Sequence, residues 1–156
     1  MTQQTIVIVN TGCANISSVK FALERLGVSV TVSDDPAVIK GADKVFLPGV
    51  GAAGAAMTSI TAKQLIPTLQ GLTQPVLGVC LGMQLMVEQS DEATTGTIDC
   101  LKLLPGHVKR MQAGELRLPH MGWNTISPVG DSPLFKGLGE GTYFYFVHSF
   151  AVPVYE

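Results

Sequence analysis

Five residues, Gly78-Val79-Cys80-Leu81-Gly82, set a thiol between two glycines, directly after an apolar run and directly before a helix-forming one. This is the G-x-nucleophile-x-G pattern of a nucleophile elbow, with cysteine in the place of serine. A nucleophile on a tight, strained turn at the carboxyl end of a strand leaves no room for side chains two residues to either side, so glycine stands at both positions. A helix that begins at Leu81 points its first N–H groups and positive dipole end at the sulfur. That favours thiolate, the reactive form. The Leu81 N–H is also placed to stabilise an oxyanion on an attacked carbonyl. The bland alternative is a cysteine that serves only as a small core hydrophobe. The strand–turn–helix context favours the nucleophile. Cys13 and Cys100 lack that context and read as structural.

Pro48-Gly49-Val50-Gly51 also follows an apolar run and leads into a small-residue helix. Alone it is a common kind of loop. Beside an elbow it gains weight, because sites of this type draw a second oxyanion donor from a Gly-rich loop in the same sheet.

The elements that must hold these residues follow from periodicity. Short β-branched or apolar runs at Thr5 to Val9, Val28 to Val32, Lys44 to Leu47 and Pro75 to Val79 predict buried parallel strands. Between them lie predicted helices over Ile16 to Leu26, after Pro36, over Ala52 to Ile60 and over Ala62 to Leu69, with another from Leu81 to Glu88. Asn15 is a natural cap for the first, whose buried stripe is Val19, Ala22, Leu23 and Leu26. This alternation predicts an α/β, flavodoxin-like open sheet, mostly parallel, with helices on both faces. Residues 91–128 break the pattern, with His107 to Met111 and Leu116 to Ile126 read as irregular or antiparallel strands. Tyr143 to Phe150 predicts a last strand, half of whose aromatics should be core.

The chain has 156 residues, enough for one domain with a real core. Apolar residues make up 46% and charged residues 14%, with a mean hydropathy of +0.34, which excludes a disordered chain. A net charge of −2 supplies no field to gather phosphates, so nucleic acid is not expected as a partner. No apolar run approaches the roughly 20 residues of a membrane span. The start Met1-Thr2-Gln3-Gln4 carries no basic n-region, and three cysteines without metal spacing suit a reducing compartment. A cytoplasmic protein with no metal and no cofactor is expected.

The Phe46 to Gly51 run together with Gly78-Val79-Cys80-Leu81-Gly82-Met83-Gln84 resembles the class I (triad) glutamine amidotransferases. Three further stretches, Asn10-Thr11-Gly12-Cys13-Ala14-Asn15, Pro119-His120-Met121-Gly122-Trp123-Asn124 and Tyr143 to Ser149, narrow the resemblance to the glutaminase subunits of imidazole glycerol phosphate synthase. It spans essentially the whole chain, and the run from Pro119 to Asn124 is its most specific part.

The resemblance implies a single amidotransferase domain over residues 1–156. It implies that Cys80 attacks the side-chain amide of L-glutamine, forming a glutamyl thioester that water hydrolyses. Leu81, Val50 and Gly51 would be oxyanion donors. Gly49, Gln84, Ser149 and Phe150 would contact glutamine. Ammonia would pass to a cyclase (β/α)₈-barrel partner in a heterodimer serving histidine biosynthesis. Asn10, Thr11, Asn15, His120, Met121, Gly122, Trp123 and Asn124 would face that partner.

The family's base is the histidine of a His-Pro-Glu motif near the C-terminus. This sequence has no His-x-Glu: its three histidines, His107, His120 and His148, are followed two residues on by Lys109, Gly122 and Phe150. His107 reads as a solvated strand residue, His120 as part of the partner-facing run, and His148 as a family position other than the base. Family members continue past Glu156, so the domain is expected to be C-terminally incomplete, without late strands and the last helix. Loss of base and orienter typically costs on the order of 10⁴–10⁶ in rate, so negligible turnover is expected. Self-association through exposed apolar sheet is expected as well. The alternatives are a class I glutaminase of another pathway, a flavodoxin-like cysteine protein of the chaperone or deglycase type, and a non-enzymatic binding module.

Overall fold

All four residues of β1, Ile6–Val9, are buried, which a strand achieves only when both faces of its sheet are covered. The computed structural model, which describes residues 4–153, supplies both covers. The described residues fall into two compact units, 4–109 with 152–153, and Arg110–Ala151.

In the first unit β1, β2 (Val30–Ser33), β3 (Lys44–Gly49) and β4 (Val76–Cys80) form a wholly parallel sheet in the order β2-β1-β3-β4. Alternation along the strands separates two apolar layers. Ile6 and Ile8 pack with Leu23 of α1 (Ile16–Arg25), and Phe46 joins them. Val7, Val9, Val45 and Leu47 face the other way. They pack with Ile39 of α2 (Pro36–Lys40), Ala53, Ala56 and Ile60 of α3 (Ala53–Ala62), Leu69 of α4 (Ile66–Gln70), and Leu81 of α5 (Leu81–Gln84). The expected open sheet with helices on both faces is therefore present. The strand order reverses between β1 and β3, and in such sheets ligands bind at the carboxyl ends of the strands near that point. Three short strands follow: β5 (Gln89–Ser90) pairs antiparallel with β6 (Ile98–Asp99) and parallel with β7 (His107–Arg110).

The second unit is built on an antiparallel ribbon of β8 (His120–Thr125) and β9 (Tyr143–His148), followed by β10 (Phe150–Ala151).

Several expectations need correction. The helix after Cys80 is one turn, not the expected run to Glu88, because the Leu101 and Leu103 N–H groups take the carbonyls of Leu85 and Met86 and draw the chain into loop pairing. α4 starts at Ile66 rather than Ala62, since Gln64 turns to φ 55° and separates it from α3. Leu26 is the cap residue of α1 and 77% exposed, so it leaves the buried stripe. Residues 116–119 are not strand, and β8 begins at His120. Tyr143, Phe144 and Tyr145 are all exposed, because β9 has only β8 beside it in a two-stranded sheet. His107 is not simply solvated: its Nε2 lies 2.7 Å from Asp91 Oδ1.

Candidate active site

Parallel pairing of β3 with β4 decides which loops meet. Leu47 is opposite Gly78, Pro48 opposite Val79 and Gly49 opposite Cys80, so the Gly-rich loop leaves the sheet beside the thiol. Cys80 has φ 54° and ψ −123° and is exposed, the strained turn that the glycine spacing predicts.

The flanking glycines are required by contact with main chain. A Cβ on Gly82 would stand 1.8 Å from the Leu47 carbonyl oxygen, and one on Gly78 2.4 Å from Met83 Cα. Gly49 belongs to the same interlock, since a Cβ there would lie 2.7 Å from Gly82 N and 3.0 Å from Leu81 Cβ. It was expected to contact glutamine. It is buried in β3 and acts as a spacer that lets the elbow and the Gly-rich loop touch.

Leu81 is fully buried and anchors the elbow in the main core, and Gln84, one turn on, is 8% exposed. With α5 only one turn long, few peptide dipoles are aligned behind Cys80.

The Val50 N–H does not face an open site. It donates to the Cys13 carbonyl at 3.0 Å, so in this conformation it is not available as the expected oxyanion donor. Gly51 is exposed at φ 88°, a left-handed conformation suited to glycine.

The β1–α1 loop supplies that carbonyl, and its residues are held by short-range bonds. Asn10 Oδ1 accepts the Gly12 N–H at 3.2 Å, and Thr11 Oγ1 accepts the Cys13 N–H at 3.4 Å. Asn15 Oδ1 accepts the Ser18 N–H at 3.3 Å, the capping role its position predicts. Thr11 is 1% exposed, so its side chain serves the loop from inside and is not the partner-facing group expected. Ser59 of α3, absent from every motif, donates its hydroxyl to the Thr11 carbonyl at 2.6 Å. The available signal was its position three residues after Ala56, on the buried stripe of α3.

Elsewhere in this unit the Cys100 thiol is pushed up to about 11, first by burial and then by the neighbouring Asp99 charge. Such a thiol is a poor nucleophile, in line with its structural reading. Cys13 is half-buried, its sulfur 3.9 Å from the Ala55 carbonyl. Among the described residues no group of three or more His, Cys, Asp or Glu could hold a metal ion.

In the second unit the pairing of His120 with His148 and of Trp123 with Tyr145 sorts the ribbon into two faces. One carries Met121, Trp123, Tyr143, Tyr145 and Val147, every one at least 50% exposed, with Trp123 edge-on to Tyr145 at 5.6 Å. The other carries Gly122, Asn124, Phe144 and His120, whose ring stacks on Phe146 at 5.4 Å and meets His148 edge-on. His148 Nδ1 lies 2.9 Å from the Phe150 carbonyl, which can only accept, so that nitrogen carries the proton. The Ser149 carbonyl accepts the Met111 N–H at 2.9 Å.

The family model for glutamine amidotransferase class I matches residues 7–154. The chain belongs to the class I glutamine amidotransferase family. Within it, the chain is 55% identical over 157 residues to imidazole glycerol phosphate synthase subunit HisH 1 of Vibrio vulnificus, covering 99% of this chain and 77% of that one. It is also 55% identical over 168 residues to subunit HisH of Colwellia psychrerythraea, covering 100% of this chain and 75% of the relative. The HisH subunit of Yersinia pseudotuberculosis is 50% identical over 149 residues, 96% of this chain and 75% of its own length. A crystal structure of a glutamine amidotransferase superposes with a TM-score of 0.71 at 17% identity, over 94% of this chain and 72% of that one, which shows the shared fold.

Proposed function

We propose that Cys80 is the nucleophile of a glutaminase that feeds ammonia to a cyclase partner. The observation that carries this reading is the exposed, positive-φ Cys80 between Gly78 and Gly82, the second of which is packed against the main chain of β3. The cysteine thiolate attacks the amide carbon of glutamine, and the developing oxyanion takes the Leu81 N–H. The proton that the thiol gave up passes to the amide nitrogen, the carbon–nitrogen bond breaks, ammonia leaves and a glutamyl thioester remains on Cys80. Water then attacks the thioester, and glutamate leaves as the thiol is restored. A route through a thiol and a thioester calls for no metal or cofactor.

The HisH likeness supports an imidazole glycerol phosphate synthase as the setting, with a (β/α)₈-barrel cyclase as partner and the cytoplasm as the compartment. Among the described residues no helix is long and apolar enough to cross a membrane. The aromatic face of the ribbon, with Met121 and Trp123 at its centre, has the composition of an interface anchor. His120, Gly122 and Asn124 lie on the same strand. Asn10 and Asn15 are the β1–α1 loop residues assigned to the partner, while Ser149 and Phe150 are assigned to glutamine. The family match crosses both compact units, which supports one amidotransferase domain.

The test is glutamate release by the native full chain with its cyclase partner and glutamine. Cys80→Ala should lower the rate by about 10⁴-fold or more with the complex intact. Full activity in that variant would sink the assignment. Residues 1–156 alone, which contain no His-x-Glu, should not turn glutamine over.

A further inference from the structure

We propose that Ser59 is a positioning residue for the β3–α3 loop, acting through the β1–α1 loop. Its hydroxyl donates to the Thr11 carbonyl at 2.6 Å, across 48 residues of sequence, in a setting where Thr11 is 1% exposed. The loop is seated on that hydroxyl: Gly12 has φ 81°, and a Cβ there would lie 2.7 Å from Ser59 Oγ. One residue further on, the Cys13 carbonyl accepts the Val50 N–H at 3.0 Å. The Cys13 N–H is turned back onto Thr11 Oγ1, so Thr11 and Cys13 move together. A continuous set of bonds thus runs from Ser59 through Thr11 and Cys13 to Val50. Its catalytic meaning rests on the glutaminase reading, because it decides how often the Val50 N–H leaves Cys13 and becomes free to meet an oxyanion.

The physical content is local. Without the hydroxyl, the buried Thr11 carbonyl loses its donor, and a neutral bond of this kind is worth a several-fold change in an opening equilibrium. A merely structural serine would lower the stability of the whole unit and loosen every core amide alike. A positioning serine loosens Val50 selectively.

The experiment is native-state amide hydrogen exchange on the full chain, read residue by residue, for the parent, Ser59→Ala and Ser59→Thr. The reference is the Val45 N–H, which donates to the Pro75 carbonyl in the same sheet at 3.0 Å. The proposal expects the Val50 amide to exchange roughly 3- to 10-fold faster in Ser59→Ala, with Val45 unchanged. Ser59→Thr, which keeps a hydroxyl at that position, restores the parent rate. Exchange at Val50 that moves in step with Val45, or does not move, overturns the proposal. So does a Ser59→Thr chain that behaves as Ser59→Ala, or a Val50 amide already unprotected in the parent. No glutamine is present in this measurement, so failure of the glutaminase assignment leaves its outcome separately readable.

Discussion

Gly82→Ala tests the interlock at the heart of the site. The added Cβ would stand 1.8 Å from the Leu47 carbonyl oxygen, 2.6 Å from its carbon and 2.9 Å from the Pro48 carbonyl carbon, where ordinary contact begins at 3.4 Å. Every obstacle is main chain of β3, so no rotamer change relieves it. The elbow must back away from the sheet by about 1.5 Å, which opens a gap where Leu47, Leu81 and Leu85 are fully buried. Overpacked cores that can rearrange side chains lose about 1–3 kcal/mol. An obstacle of backbone puts this variant at about 3–5 kcal/mol, a large part of the roughly 5–15 kcal/mol that holds a domain together. At about 2–4 °C per kcal/mol for a chain of this size, Tm should fall by at least about 6 °C. Gly54→Ala is the control, because it makes the same change in the first turn of α3 with nothing within 4 Å of the new methyl. It should be neutral or stabilising by up to about 1 kcal/mol. Urea unfolding measures both variants, and alkylation of Cys80 reports whether the turn survives. A Gly82→Ala loss under about 1 kcal/mol with unchanged alkylation would refute the reasoning, since the glycine at 82 would then be dispensable.

Further outcomes follow from individual residues. Iodoacetamide at mildly alkaline pH should label exposed Cys80 well before Cys100, whose thiol is buried and pushed up to about 11; equal labelling by mass mapping would contradict that. Asp43 accepts the Thr5 N–H at 2.7 Å and the Thr5 hydroxyl at 2.9 Å, and these bonds hold its carboxyl below the ordinary value. A carboxyl lowered on folding contributes stability that is full above its unfolded value of about 3.9 and lost as pH falls through the lower folded value. Asp43→Asn should therefore shrink the stability difference between neutral pH and the region below pH 4, read by urea titration at each pH. β4 carries no charged residue, and its Leu77 and Val79 are 40% and 36% exposed. Residues 1–156 alone should self-associate with rising concentration, and a monomer throughout a sedimentation series would refute this.

What sequence made legible follows the range of the forces involved. Strand positions and the order of elements come from local periodicity, and the four parallel strands and α1 to α3 lie within a few residues of where apolar spacing puts them. The turn at Cys80 was legible because it leaves a mark at fixed offsets, a positive φ at the thiol and a missing side chain two residues to either side. The length of α5 was not, because it is decided by the chain around Leu101 and Leu103 returning to claim carbonyls of Leu85 and Met86. Nor was the exposure of Tyr143 and Tyr145, which depends on how many strands stand beside β9. Long-range pairing of this kind leaves little trace in any short window of residues.

The same distinction separates the two halves of the site. Glycine at position 78 states its reason in the sequence, since a side chain there would strike the main chain of Met83 five residues on, whereas the main chain that Gly82 spares is that of Leu47 and Pro48, more than thirty residues back. The role of Gly49 is hidden, because the atoms it spares belong to Leu81 and Gly82, more than thirty residues on. Read alone, Pro48-Gly49-Val50-Gly51 suggests amides presented to a ligand. With the register of β3 on β4 fixed, its first glycine is consumed by packing against the elbow, and the Val50 amide by the carbonyl of Cys13. A Gly-rich loop therefore indicates where backbone can come close, while only the tertiary contacts decide what it comes close to. At this site those contacts tie the loop to the nucleophile turn on one side and to the β1–α1 loop on the other. Any motion that frees the Val50 amide must then act through one of these two neighbours. The glycine interlock on the elbow side is closed to within van der Waals distance and cannot yield without unpacking Leu81, which leaves the hydrogen-bonded side as the softer path.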